Sequence, residues 1–420
     1  MTVVSEVYAP ETSGAPEGRK ARRVPLWAWL AAAFVLISFA RVITGSNELD
    51  SAGTLREAIT AAIPIALAGL AGLWSERAGV VNIGLEGMMI LGTIGAGYFG
   101  VFYGPWQGVI AAMVFGAIGG ALHALATVVF GVDHIVSGVA INIMTVGVAA
   151  FLADTWFSGL QGGGPTQSPP VDGPVVVQLP GVVDWAKSLE DKHWFVLSDV
   201  GSVIGALSRN LSSLTILAVL LIVATSFVLW HTSFGLRLRS CGESPQAAET
   251  LGVNVYRYKF VAVLISGALA GLAGGFIVLV GAGLYQNGIT NGRGFIGLAA
   301  MIFGNWRPGG MVLGAALFGY TDALQLRAGG GAVHALLIVI AVVLLGYGIF
   351  QLRKGARRTG IVTVVAAVLF AIWFFITDEV PADFTRMTPY VATLFVLAFA
   401  AQRLRMPAAD GVRYRKGEAG

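Results

Sequence analysis

The stretch Ser75 to Met89 reads SERAGVVNIGLEGMM and places three ionisable side chains between long apolar runs of the chain. These side chains are Glu76, Arg77 and Glu86. A charged side chain at the centre of a membrane helix costs roughly 2.5–3.5 kcal/mol on insertion scales, so such residues usually lie at an interface, in a pair or beside a watery cavity. The stretch therefore predicts a membrane transporter whose pathway lies close to residues 75–89.

Composition extends this interpretation to the whole chain. Of the 420 residues, 56% are hydrophobic and 12% are charged, whereas about 25% are charged in soluble domains. The net charge of +4 does not indicate a nucleic-acid partner, and the single cysteine, Cys241, excludes an intrachain disulfide. We expect an all-α membrane protein, a polytopic helical bundle surrounded by the lipid bilayer.

Apolar runs long enough to cross a membrane recur after a polar tail at residues 1–24. Two shorter apolar pieces, 295–305 and 311–326, are separated by a Pro-Gly-Gly break at 307–310, which forbids one continuous helix. The bundle is expected to have about twelve crossings, or ten if the two short pieces only dip into the membrane. The other predicted spans are 25–44, 55–74, 82–103, 106–131, 134–157, 211–230, 260–284, 333–350, 361–377 and 389–402.

Glycines in the span 260–284 predict close packing of that helix on its neighbours, because small residues let membrane helices approach one another. These glycines are Gly267, Gly271, Gly274 and Gly275.

Basic clusters set the orientation: Lys and Arg concentrate at 19–23, 237–239, 353–358 and 413–416. Such clusters favour the cytoplasmic side. We expect a multi-pass membrane protein with a cytoplasmic N-terminus.

Residues 158–209 are rich in Pro, Gly and charged side chains and predict a long external loop. Within it, 184–195 is either a short amphipathic helix at the outer interface or solvated loop. The charged stretch 231–259 predicts a cytoplasmic loop that contains one short helix at 244–251. Ser244 suits its cap, Pro245 its first position and Gly252 its end. This helix carries an apolar stripe that suits docking into a groove of another protein. The alternative is a surface helix without a partner. The stripe consists of Ala247, Ala248 and Leu251.

A short internal repeat is present. Ile83-Gly84-Leu85 with Met88 recurs as Ile296-Gly297-Leu298 with Met301. The predicted spans run in opposite directions through the two copies, which is typical of transporters built from inverted repeats with broken helices at a central substrate site. Coincidence in so apolar a chain is the alternative.

Several kinds of chemistry are not supported. The chain has no phosphate-binding loop with the Gly-Lys-Ser/Thr ending. Its two Gly-x-Gly-x-x-Gly matches, beginning at Gly95 and Gly292, lack a preceding strand, so they do not indicate a dinucleotide site. The five histidines lack ligand spacing. We expect no enzymatic activity, metal or cofactor.

Three stretches, in this order, resemble known transporter motifs: 75–89, 235–249 and 294–304. They are similar to the permease subunits of bacterial ABC importers of the branched-chain amino acid and simple-sugar permease group, specifically its nucleoside or simple-sugar branch. The resemblance covers about residues 50–350. It implies a protein of a bacterial inner membrane with a permease domain at 25–358. The spans and basic tail at 359–420 exceed the usual ending of the family, and the external loop is long for it.

The resemblance also implies partners: ABC ATPase subunits, a second permease subunit that forms a heterodimer, and an extracytoplasmic substrate-binding lipoprotein that delivers a small-molecule substrate. ATP would be hydrolysed in the separate cassette subunits. The short helix would be the coupling helix that seats in the ATPase, with its contacts at Arg237, Arg239, Glu243, Ser244, Pro245, Ala248 and Glu249.

Amide and carboxylate side chains suit the hydroxyls and amides of a nucleoside or sugar and are candidates for lining the pathway. The alternative for each is hydrogen bonding between helices. Glu76 and Arg77 are expected to form an interfacial ion pair. The candidates for pathway lining are Asn82, Glu86, Asn142, Asn287, Asn291 and Asn305.

Two other functions fit the composition less well. In an ion-coupled secondary transporter, Glu86 would carry the proton or bind the cation. In a membrane enzyme acting through the external loop, a catalytic group would be needed that the sequence does not supply.

Overall fold

The computed structural model describes residues 26–192, 194–385, 387 and 404–417. The predicted tail at 1–24 and the predicted span at 389–402 lie outside these described residues. A two-stranded antiparallel pair, β1 Val176–Val177 with β2 Leu211–Ser212, accompanies sixteen α-helices in the described part. The helices are α1 Leu26–Thr44, α2 Ala52–Arg77, α3 Leu85–Tyr103, α4 Pro105–Ala124, α5 His134–Phe157, α6 Pro180–Glu190, α7 Leu197–Ser208, α8 Ser213–His231, α9 Ser233–Glu243, α10 Pro245–Thr250, α11 Val255–Phe276, α12 Arg293–Phe303, α13 Pro308–Ala323, α14 Gly329–Arg353, α15 Arg357–Ile376 and α16 Ala382–Thr385.

The prediction of a polytopic helical membrane protein is confirmed. Eight helical segments of the described chain are long and apolar enough to cross a membrane. Helices α2, α3 and α11 form the interior of the bundle, whereas most of α5, α8 and α15 is exposed. The exposed faces are apolar, with Phe151 and Phe227 among their side chains, as expected for surfaces that meet lipid or another membrane subunit.

The closest packing in the bundle joins α4 to α11. A Cβ atom at Gly271 would lie 2.8 Å from the Cα of Gly116 and closer still to the carbonyl oxygen of Ala112. Because real Cβ atoms do not approach backbone atoms so closely, only glycine fits at this crossing. The close helix packing predicted from the glycines of α11 is confirmed at this position.

Gly271→Ala is expected to lower the melting temperature of the detergent-purified protein, because forcing a methyl group into a packed interface costs about 1–3 kcal/mol. The matched control is Gly147→Ala in α5, since a Cβ at Gly147 meets no heavy atom within 4 Å. Equal melting temperatures for the two variants would contradict the close crossing.

The predicted break between the two short apolar pieces is also confirmed. Helices α12 and α13 run antiparallel, since Gly304 lies against Gly310 and Ala300 against Gly314. Both pack on α2, where Gly297 of α12 approaches the backbone of Gly69. The eleven residues of α12 extend about 16 Å, half of a hydrocarbon layer of about 30 Å. Helix α12 is therefore too short to cross the layer by itself.

Residues 158–209 contain two helices instead of one. Helix α6 overlaps the predicted amphipathic segment, and α7 was not predicted. Arg41 of α1 holds α7 through buried contacts: its Nη1 lies 2.7 Å from Asp199 Oδ1 and 2.9 Å from Ser198 Oγ. Because these partners are about 160 residues apart in sequence, no local pattern indicated that α7 would be anchored here.

The two copies of the short repeat adopt different local structures. Gly84 precedes the first residue of α3, whereas Gly297 lies in the middle of α12. The two copies are therefore not equivalent positions of a repeat, and an inverted repeat at the level of whole helices stays a prediction.

Candidate functional site

The connector, residues 78–84, joins α2 to α3 without helical structure. The sequence predicted helix from residue 82, but α3 begins at Leu85. Ala78 and Asn82 are fully buried. Non-helical backbone at membrane depth is tolerated only where it is enclosed by protein or lines a cavity. The connector therefore needs partners for its backbone groups from the surrounding helices.

Those partners come from α4, α5 and α11. The carbonyl oxygen of Val81 lies 3.0 Å from His123 Nε2, and the amide of Val81 donates to His134 Nδ1 at 3.3 Å. Lys259 Nζ donates to the carbonyl oxygen of Gly79 at 3.2 Å. Asn142 Nδ2 donates to the carbonyl oxygen of Ile83 at 2.9 Å. Polar side chains thus fix an unwound segment in the interior of the bundle.

Glu86 lies where the connector, α3 and α12 meet. Its Oε1 accepts hydrogen bonds from Thr290 Oγ1 at 2.7 Å and from the amide of Gly292 at 2.9 Å. Its Oε2 accepts from the amide of Gly294 at 2.7 Å. The first amides of a helix have no partner within the helix and carry partial positive charge. The carboxylate of Glu86 therefore caps α12 in the interior of the bundle.

A cavity of about 100 Å³ adjoins this junction. Thr290, which donates to Glu86, also lines the cavity together with Thr93 of α3 and Ala149 of α5. Asn287 and Tyr285 complete its polar wall, and the Tyr285 hydroxyl donates to Asn287 Oδ1 at 2.5 Å. Hydroxyl and amide groups thus line a space next to the capped end of α12.

The predicted pathway residues lie in different environments. Asn82 and Asn142 lie in the protein interior, where Asn82 Nδ2 donates to Ser266 Oγ at 3.0 Å and Asn142 holds the connector. Asn287 and Asn291 are exposed. Asn305 lies in the turn after α12, and its Oδ1 accepts from the amide of Arg405 at 2.6 Å. Of the six candidates, Asn287 is the one whose side chain lines the cavity.

Glu76 and Arg77 lie at the end of α2 and face different partners. Glu76 Oε2 accepts from Trp306 Nε1 at 2.5 Å. Arg77 donates through Nε to the carbonyl oxygen of Trp306 at 3.0 Å, and its Nη1 lies 3.7 Å from Glu243 Oε1. The ion partner of Arg77 among the described residues is therefore Glu243 and not Glu76. Consecutive helical residues point in different directions, which prevents the predicted pairing.

We call this part of the bundle the α10 end. It comprises the last turn of α2, the turn at residues 304–307, helices α9 and α10, and the residues packed on them. Gly242 of α9 lies against the backbone of Arg77, with a Cβ at Gly242 only 3.0 Å from the Arg77 carbonyl carbon. Helix α9 is thus in direct contact with the residues that begin the connector.

Helix α10 forms where the sequence predicted it, with Pro245 at its first position and Gly252 at φ +82° beyond its end. Ser244 precedes the helix, but its side chain makes no capping hydrogen bond. Pro245 and Ala248 are buried, whereas Ala247 is exposed. The predicted stripe is therefore divided between the two sides of α10: Ala248 faces the protein, while Ala247 and Leu251 face outward.

The other predicted coupling residues surround α10. The guanidinium of Arg239 lies 5.5 Å from the ring centre of Trp230, as does that of Arg77. Arg237 lines an open surface pocket of about 600 Å³ together with Leu251 and Arg257. The sequence does not indicate this pocket, because its lining residues come partly from α9 and partly from the chain after α10.

Sequence comparison identifies the family. A family model described as "Branched-chain amino acid transport system / permease component" matches residues 54–347. The chain belongs to this permease family. No solved structure matches it.

Curated relatives of this permease include the nucleoside ABC transporter permease protein NupC of Lactococcus lactis, 34% identical over 84% of this chain and 94% of the relative. The guanosine ABC transporter permease protein NupQ of Bacillus subtilis is 32% identical over 85% of this chain and 94% of the relative. The putative glucose ABC transporter permease protein TsgC13 of Haloferax volcanii is 34% identical over 66% and 78%.

Sequence reasoning missed several residues of the site. Thr290 and the two histidines that hold Val81, His123 and His134, gave no signal, because they act through contacts with distant residues. The structure also adds Trp306, which joins Glu76 to Arg77.

Proposed function

We propose that this permease forms half of the membrane pathway of an ATP-driven ABC importer for nucleosides. Two relatives support this substrate class, since NupC and NupQ match over nearly their full lengths and are named for nucleoside and guanosine transport. A second permease subunit, two ATPase subunits and an extracytoplasmic substrate-binding lipoprotein complete the importer. The agreement of these two relatives is the observation that carries the proposal.

The α10 end supports coupling to an ATPase. Helix α10 presents an exposed face that includes Ala247 and Leu251, and its other side rests on the chain. Through Gly242 the adjoining helix α9 touches Arg77, and Arg77 binds the Trp306 carbonyl beyond α12. A rigid-body movement of α10 would therefore reach both the connector and the turn after α12. In this proposal the α10 end is cytoplasmic.

Reconstitution of the complete importer tests this function. Liposomes containing both permeases, the ATPase subunits and the lipoprotein are expected to transport labelled guanosine only when ATP is supplied, and a protonophore is expected to leave the rate unchanged. Transport driven by a proton gradient with this chain alone would instead identify an ion-coupled transporter. Glucose transport without guanosine transport would overturn the substrate class. Glucose is the sugar chosen for this comparison because the relative TsgC13 is named for it.

Asn287 is proposed to contact the substrate in the cavity beside Glu86. A hydrogen bond contributes about 0.5–1.5 kcal/mol net, so Asn287→Ala is expected to raise the guanosine concentration for half-maximal uptake about 3–10-fold. The maximal rate should change little. The matched control is Asn47→Ala, at an exposed position in the short turn before α2. Unchanged half-maximal concentration in Asn287→Ala would remove this residue from the pathway.

A further inference from the structure

Residues 404–417, here called the strap, lie against the α10 end although they are more than 150 residues from α10 in sequence. The strap is joined to α9 by its backbone. The amide of Ala409 donates to the carbonyl oxygen of Gly242 at 2.9 Å, and the amide of Ala408 donates to Glu243 Oε2 at 3.3 Å. The predicted basic tail is therefore, in this part, a docked segment.

The strap also supports α10 from its buried side. Tyr414 packs against a cluster formed by Cys241, Ala248 and Val255. Its ring lies 5.3 Å from that of Tyr256 of α11. A helix of six residues is not stable by its own hydrogen bonds, so its position depends on tertiary packing. Tyr414 supplies part of that packing.

The first half of the strap, residues 405–409, contacts the connector and the turn after α12. The amide of Arg405 donates to Asn305 in the turn between α12 and α13. A Cβ at Gly79 of the connector would lie 3.0 Å from the carbonyl oxygen of Ala409. The strap thus touches α9, the connector and the turn after α12 within five residues, 405–409.

Asp410 places a carboxyl group inside this assembly. It is 8% exposed, and burial raises the pKa of Asp410 to about 7. The charged groups that face it are Glu76 and Arg77 of α2 and Lys259 of α11. Lys259 is the residue that donates to the carbonyl oxygen of Gly79, so the Asp410 carboxyl lies near a side chain that fixes the connector.

We propose that the strap links helix α10 mechanically to the connector and to α12, and that transport depends on this link. The inference rests on the proposed coupling of α10 to an ATPase. The strap remains docked throughout the transport cycle and moves together with α9 and α10. Without it, movement of α10 would reach the pathway less completely.

The test measures ATP hydrolysed per guanosine transported in the reconstituted importer. A chain truncated after residue 403 and the variant Tyr414→Ala are expected to assemble and hydrolyse ATP while uptake falls at least fivefold, so the ratio rises at least fivefold. The control is Val412→Ala, since Val412 is 51% exposed. An unchanged ratio in the truncated chain, or failure of the truncated chain to assemble, would overturn the proposal.

Cross-linking provides a second measurement. In the variant Glu243→Cys/Ala408→Cys, a short bis-maleimide is expected to leave at least half of the transport rate that the same variant shows before cross-linking. The native thiol should not compete, because Cys241 is buried and burial raises its pKa to about 11. Loss of transport on cross-linking would show that the strap must release, contrary to the proposal. If the wild-type importer itself shows no ATP-dependent uptake, the proposed function fails first, which distinguishes the two outcomes.

Discussion

Glu86→Gln is expected to reduce guanosine uptake at least tenfold and to lower the melting temperature of the protein. The carboxylate accepts three hydrogen bonds, two of them from the first amides of α12. Glutamine offers one oxygen and one amide group, and the amide would face a donor. Leaving a buried donor without an acceptor costs about 1–3 kcal/mol, and more where charge is involved.

The measurements are the melting temperature in detergent and the uptake rate at saturating and limiting guanosine. Because the carboxylate is occupied by α12, the maximal rate should fall while the half-maximal concentration stays within about threefold, a change of less than 1 kcal/mol. The matched control is Glu379→Gln, an exposed carboxylate after α15. A large rise in half-maximal concentration with unchanged melting temperature would instead place Glu86 in contact with the substrate.

Ala247→Arg is expected to abolish ATP-dependent uptake without changing the stability of the permease. Ala247 lies on the exposed face of α10, beside Leu251, which is 84% exposed. A long charged side chain at the centre of a docking surface prevents close contact, and single central residues can carry more than 2 kcal/mol of binding energy. Co-purification of the ATPase subunits with the permease measures the effect directly.

The control for this variant is Ala356→Arg, which adds the same side chain at an exposed loop position between α14 and α15. It should retain both ATPase binding and uptake. If Ala247→Arg also retains them, α10 is not the docking helix and the proposed coupling is wrong.

The extent of helical structure could be predicted from the sequence because membrane spans depend on local composition. The break before α13 was equally local, since Pro308 cannot continue the preceding helix. Gly309 and Gly310, part of the predicted break, lie within α13. Helix α10 was predicted from Pro245 and Gly252 for the same reason. Its orientation was not, because which side of α10 faces the protein depends on Val255 and Tyr414.

The start of α3 was predicted three residues too early for the opposite reason. Residues 82–84 directly precede a long apolar run and were counted with it, but their backbone is bound by a side chain of another helix, Asn142. Nothing within the stretch itself indicates those partners. The candidate asparagines show the same limit: Asn82 and Asn287 look alike in sequence, yet one is fully buried against Ser266 and the other lines a cavity.

The strap illustrates the limit most clearly. The segment 404–417 is short and rich in basic residues, a composition typical of a solvated tail. Asp410 is buried and Tyr414 half-buried because the α10 end offers a matching surface. Backbone hydrogen bonds from Ala408 and Ala409 add to the docking.

The cap on α12 has a consequence for solute selection by charge. A helix N-terminus inside a membrane protein ordinarily attracts phosphate or carboxylate groups. In this permease an internal carboxylate already occupies that position. A phosphorylated solute entering the neighbouring cavity would find negative charge instead of unpaired amides. In the proposed importer, we therefore expect this arrangement to favour uncharged nucleosides over their nucleotides.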